Sequence, residues 1–115
     1  MEKLIKNLDH STALPLAEQV QYLDGQIASK TLAQTKHHSL TLFAFDKGEE
    51  ISAHDSEGDA LVLALDGEGV ITIGGVEHSL SAGEAIVMPA KVPHAVFAAQ
   101  RFKMLLTVLF AEDRQ

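Results

Sequence analysis

The sequence contains no cysteine and no tryptophan in 115 residues. Without cysteine there is no disulfide, thiolate nucleophile, zinc finger, Cys-ligated iron–sulfur cluster or thiol redox switch. Positive charge is scarce too: 9 Lys and Arg stand against 16 Asp and Glu, a formal net charge of -7 with histidine neutral. Nucleic acid and membrane are therefore excluded as expected partners, since both are normally held by a cationic face. No apolar run approaches the ~20 residues of a membrane span. Met1 to His10 alternates charges and aliphatics where a signal peptide would carry an apolar core. The chain also lacks low-complexity segments, blocks of like charge and repeats at a solenoid period. The expectation is one soluble, cytoplasmic domain, because two cores in 115 residues would each be too small to be stable.

What the chain does contain is short apolar runs separated by glycine-bearing turns, the pattern of an all-β sandwich or barrel. Asp46-Lys47-Gly48, Glu57-Gly58-Asp59, Asp66-Gly67-Glu68-Gly69, Gly74-Gly75 and Ala82-Gly83 read as turns. The intervening runs Ser39–Asp46, Ala60–Asp66, Val70–Ile73, Val76–Leu80, Ala85–Met88 and Ala95–Ala98 read as strands, flanked by two more around Gln26–Leu32 and Phe102–Phe110. Gly74-Gly75 is a two-residue hairpin signal. The single helical reading is Leu16–Leu23, at most two turns before Gly25, with an extended arm as the alternative.

Two strands are apolar on both faces. Ala60, Val62 and Ala64 point one way and Leu61, Leu63 and Leu65 the other; Phe102, Met104, Leu106, Val108 and Phe110 oppose Leu105 and Leu109. A half-solvated strand alternates apolar with polar, so these need a second cover, supplied by the N-terminal segment or by a second copy.

Six histidines are the chemical resource. His10 lies in a polar beginning, and His37-His38 reads as a pair of solvated loop residues, since neighbours on a strand point to opposite faces. His78 shares parity with Val76 and Leu80 and is a pocket candidate. His54 ends the stretch Gly48–His54, and His94 follows a loop stiffened by Pro89 and Pro93.

Residues 48–98 resemble a small single-domain cupin of the conserved-barrel, type-2 kind. The first motif of that family, G-x5-H-x-H-x3-4-E-x6-G, is met by Gly48, His54 and Gly67, with Ser56 in the second histidine slot and Ala60 in the glutamate slot. The second, G-x5-P-x-G-x2-H-x3-N, is met by Gly83, Pro89 and His94, with Lys91 in the glycine slot and Ala98 in the asparagine slot. The resemblance implies a double-stranded β-helix, or jelly-roll barrel, of the RmlC-like cupin type. Residues 1–35 would form an N-terminal arm and first strand, and 36–115 the barrel, with motifs at 48–67 and 83–98. It also implies a homodimer and a divalent metal held by three histidines and a carboxylate. Only His54 and His94 remain of those four, an incomplete set, so a weakly held ion, a functional metal and no metal all stay open.

The function expected is therefore the binding of a small ligand in the barrel, at a pocket of His54, His94, Ser56, Ala60 and His78. The alternative is a metal-dependent cupin enzyme of the dioxygenase, isomerase or decarboxylase type. Asp55, Glu57 and Asp59 are substitute donors only if their loop bends, and Lys91 reads either as reaching toward a ligand at the mouth or, as is commoner for such a lysine, as simply exposed. Gly67-Glu68-Gly69 precedes a strand, not a helix, so it is no phosphate loop. Ser56 near His54 lacks the third member of a hydrolase triad.

Overall fold

In the computed structural model, which describes residues 3–111, one 3-10 turn precedes seven antiparallel strands. The turn is Leu16–Gln19, and the strands are β1 (Ile27–Gln34), β2 (His38–Phe45), β3 (Glu50–His54), β4 (Asp59–Ile73), β5 (Val76–Ser81), β6 (Ala85–Met88) and β7 (His94–Leu109). Residues 1–2 and 112–115, the outer ends of the expected arm and barrel, lie outside the described residues.

The two long strands make the barrel. The first part of β7 pairs with β3 and with the last part of β4, whereas its second part pairs with β2 and with the first part of β4. β4 in turn pairs with β6 near its start and β5 near its end. Each long strand therefore runs through both layers of a jelly roll: β1-β2-β7-β4-β6 on one side and β3-β7-β4-β5 on the other. β1, β3, β5 and β6 each have a single partner, so hydrogen bonding leaves the seams open.

The run Asp66-Gly67-Glu68-Gly69, expected as a turn, is instead an irregular stretch within β4. Its register against β7 slips between Ala64 and Asp66 and again between Gly67 and Gly69. Bulges and turns draw on the same residues, because both need glycine where the backbone leaves the extended region. Gly67 has φ of +73°, and a Cβ there would fall on the Arg101 carbonyl. At Gly69 a Cβ would lie 2.8 Å from the Phe102 ring, which packs onto the bare backbone. The strands expected at Ala95–Ala98 and Phe102–Phe110 are likewise one, β7. Glu50–His54 is a strand that the apolar pattern did not mark, because only Ile51 in it packs against the core.

Between the layers lie Phe45, Val62, Ile71, Phe102 and Met104, all fully buried. A second cluster sits on the outer face of the first layer, where Val20, Leu16 and Tyr22 of the arm cover Leu42, Leu65 and Leu105. The arm thus supplies part of the cover that the two-sided strands require. Its helical reading shrinks to the four-residue Leu16–Gln19, followed by extended backbone at Val20. Lys103, 7% exposed, donates from Nζ to the Ala17 carbonyl at 2.7 Å, and Lys30 Nζ donates to Gln19 O at 3.1 Å. These bonds satisfy carbonyls that so short a turn cannot pair internally. Farther along the face the cover ends, and Leu61, Val87 and Leu109 are 42%, 52% and 54% exposed. With Asp59, Ala60 and Thr107 they line a shallow depression of about 290 Å³.

Candidate functional site

His54 and His94 are cross-strand partners in the β3–β7 ladder, and Ile73 of β4 is the partner of His94 on its other side. The register of β3 slips between Ile51 and His54, which brings the His54 ring onto the same face as His94. Strand pairing therefore places two imidazoles side by side, their centroids 4.5 Å apart and their planes inclined by 66°. His94 is buried, whereas His54 is exposed at the rim.

Both rings are held in the same way. His54 Nδ1 lies 3.0 Å from the carbonyl of Ser52, and His94 Nδ1 lies 3.2 Å from that of Val92. A carbonyl only accepts, so each Nδ1 carries the hydrogen and each neutral ring keeps its lone pair on Nε2. In that neutral tautomer each ring has Nε2 as its acceptor. Ser52 and Val92 escaped the sequence reading. The signal for them is positional, since each lies two residues before its histidine.

Burial holds His94 below the ordinary histidine range. The bond to Val92 O opposes that shift, the neighbouring His54 reinforces it, and the Asp55 carboxylate again opposes it.

The other expected pocket residues divide. Ala60 is buried 3% exposed in the core cluster, beside its β-ladder partners Met88 and Val108. His78 is the cross-strand partner of buried Ile71, on the inward face of β5, two residues along β4 from Ile73, the partner of His94. Ser56 is turned to a different task. Its Oγ donates to Gly58 O and accepts from Gly58 N, both at 3.1 Å, closing the loop between β3 and β4. That loop is tied to the one before His94: Lys91 N donates to Ser56 O at 2.7 Å, and Ala90 N to Asp59 Oδ1 at 2.7 Å. Asp59, expected as a substitute donor only if its loop bends, instead accepts this backbone N–H. His37 also departs from its solvated reading: its Nδ1 is buried and without a hydrogen-bond partner.

The donor set does not fit a complete metal centre. Two imidazole rings lie side by side, Ser56 is occupied by Gly58, and Ala60 has no donor. Among the described residues, no group of three or more His, Asp or Glu is placed to hold a metal ion. A cation here would rest on two nitrogens and water, well short of the three or four protein ligands of durable sites.

Comparison with known proteins agrees with this architecture. The family model described as the cupin domain matches residues 41–110. A conserved protein of unknown function from Streptococcus pyogenes is 40% identical, with a TM-score of 0.94 over 96% of this chain and 97% of that one. A cupin superfamily protein from Desulfitobacterium hafniense is 36% identical, with a TM-score of 0.89 over 93% of this chain and 98% of that one. The dimethylsulfoniopropionate lyase DddW of Ruegeria pomeroyi is 28% identical over 90 residues, 74% of this chain. The chain spans 59% of that lyase's length. Among the described residues, no helix is long and apolar enough to cross a membrane.

Proposed function

The chain belongs to the cupin family, and from that premise we propose that its barrel binds a small hydroxylated organic molecule through the Nε2 atoms of His54 and His94. The observation that carries this reading is the shared anchoring of the two rings. With both Nδ1 hydrogens committed to backbone carbonyls, the neutral rings, 4.5 Å apart by centroid, keep their Nε2 atoms as acceptors. A ligand hydroxyl or a bound water meets that need directly. A divalent ion would meet it too, but with two protein donors it binds weakly and exchangeably. The reading is of a binding or sensing module in the cytoplasm.

The second reading, a metal-dependent enzyme on a small organic substrate, draws support from the likeness to a lyase. Against it stands the donor set, since the two lost slots hold an engaged hydroxyl and a methyl group. Metal analysis of protein purified without an affinity tag separates the readings. Substoichiometric metal in the wild type supports the ligand-binding module. Stoichiometric metal that vanishes in the His54→Ala/His94→Ala double variant favours the enzyme.

We further infer a homodimer formed on the uncovered half of the outer sheet face. Leu61, Val87 and Leu109 lie there beyond the end of the arm, on a surface with few charges. An isologous contact would let each copy cover the other's leucines.

A further inference from the structure

The inner face of the second layer is closed at one end and open at the other. Cross-strand partners share a face, so the register sets His54, His94, Ile73 and Val76 in one row across β3, β7, β4 and β5. The next row inward on that face contains Ile71 and His78. Along β5 the inward positions pass from exposed Val76 through half-buried His78 to a buried leucine, Leu80. On β4, Ile73 is half-buried and Ile71 fully buried. Solvent therefore enters between the layers at the His54 end, over an aliphatic floor, and is stopped at Ile71.

Three imidazoles stand on this opening. His78 lies two strands across and two residues along from His94, roughly 12 Å between Cα atoms on ordinary sheet spacings. Among the described residues, His78 is the histidine whose ring has no hydrogen bond and no ring contact. His10, His38, His54 and His94 are each bonded through a ring nitrogen, and His37 packs edge-on against His38. An imidazole turned inward and half out of water is favourable only where something else meets its nitrogens. An opening with an apolar middle and ring nitrogens at both edges fits a ligand built the same way.

We propose that His78 is a specificity-determining residue, holding the far hydroxyl of a molecule that carries a hydroxyl at each end of an aliphatic middle, with the near hydroxyl on His54 and His94. This deepens the ligand-binding reading and rests on it. A hydroxyl both donates and accepts, so it satisfies either neutral tautomer of His78. The aliphatic middle rests on Ile73.

The test titrates the intact protein with butane-1,4-diol, pentane-1,5-diol and hexane-1,6-diol, each beside the mono-alcohol of the same carbon count. Binding is read from the histidine Cε1–H resonances by NMR. At least one diol should bind the wild type about fivefold more tightly than its mono-alcohol, the worth of one hydrogen bond. That diol should shift His78 together with His54 and His94, and the mono-alcohols should shift His54 and His94 alone. His78→Phe, which keeps a ring without nitrogens, should bring diol and mono-alcohol to equal affinity; His78→Gln should keep part of the difference. A diol advantage that survives His78→Phe, or a wild type that binds diols and mono-alcohols alike, overturns the role of His78 and leaves the His54–His94 reading standing. Binding undiminished in His54→Ala/His94→Ala overturns that reading, and absence of saturable binding in the wild type overturns both.

Discussion

Tyr22 donates its phenolic hydrogen to Asp66 Oδ2 across 2.6 Å, joining the N-terminal arm to the irregular stretch of β4. The same ring lies 4.8 Å from Lys103 Nζ and 5.1 Å from Arg101 Cζ, so two cations face it. Burial and the bond to Asp66 both hold its hydroxyl in the neutral form, well above the usual tyrosine range. Arg101 in turn reaches Asp24 at 2.8 Å and Asp46 at 2.9 Å. The Asp46 contact involves the less exposed carboxylate and is the better placed of the two.

Tyr22→Phe should therefore cost about 1–2 kcal/mol, the worth of a hydrogen bond to a charged acceptor at a half-buried site. For a domain of this size that lowers the melting temperature by roughly 5 °C. Tyr22→Ala should cost more, since it also removes the ring from both cations and from the cluster around Val20. Thermal melts of the two variants at low salt check the order. Equal losses would mean that the ring contributes nothing beyond its hydroxyl.

Gly67→Ala should be among the most damaging single changes in the chain, by several kcal/mol, because it adds a clash with the Arg101 backbone to an unfavourable φ. Gly83→Ala has a similar φ of +91° but open space around the added Cβ, and should cost about 1 kcal/mol. Urea unfolding of the pair separates backbone strain from close approach. Similar midpoints would contradict the packing of β4 on β7 described above.

Much of this was legible in the sequence, and the misses have physical causes. The runs read at Val76–Leu80 and Ala85–Met88 lie on β5 and β6, because glycine-bearing turns bracket them and the chain alternates between. β4 divides in the sequence reading because Gly67 and Gly69 look like turn residues, and β7 because polar Gln100 and Arg101 interrupt its apolar run. Whether such residues reverse a chain or bend it depends on the strand lying opposite. β3 was missed because a short strand with a single inward apolar residue has no period to read. The proximity of His54 and His94 follows from motif spacing, but their common tautomer depends on two carbonyls. The need for an outer cover was visible in Leu65 and Leu105. That Val20 and Tyr22 provide it is a matter of tertiary packing.

Stability should fall on mild acidification through His94. Its folded-state pKa is depressed from the ordinary 6.5, chiefly by burial, so the unfolded chain takes up a proton there first. The contribution is complete above pH 6.5 and is lost as the pH drops through the folded-state value. Urea midpoints measured downward from pH 7.5 should decline more for the wild type than for His94→Gln, which cannot take up that proton. Parallel curves would show that His94 is protonated as readily in the fold as out of it.

The uncovered sheet face gives a test of assembly. Leu61→Lys/Leu109→Lys places two charges where a second copy would sit, at positions already 42% and 54% exposed, so the monomer should tolerate them. The wild type should sediment as a dimer at micromolar concentration, burying about 1,600 Å² in total, and the variant as a monomer. A monomeric wild type would remove the dimer and leave these leucines as exposed apolar surface.

The two empty slots of the motif allow the site to be rebuilt. Ala60 is nearly buried between Met88 and Val108, so Ala60→Glu alone forces a carboxyl into the core. Unpaired, it should cost about 3 kcal/mol or more in the presence of a chelator. Ser56→His breaks the paired contacts with Gly58 and should cost about 1 kcal/mol. Together the two changes surround the existing imidazoles with a third and a carboxylate, four donors suited to a divalent transition metal. A metal that binds only the folded form stabilises it by RT ln(1 + [L]/Kd), about 2.7 kcal/mol at a hundredfold excess over Kd. The double variant should therefore melt below the wild type in chelator and recover most of that loss with zinc or manganese. The wild type, with two donors, should move little under the same additions. If the rebuilt protein gains no metal-dependent shift, Ser56 and Ala60 do not face the imidazole pair as the motif register requires. A large saturable shift in the unmodified protein would instead show that two histidines and water suffice, and would favour the metal-dependent enzyme over the ligand-binding module.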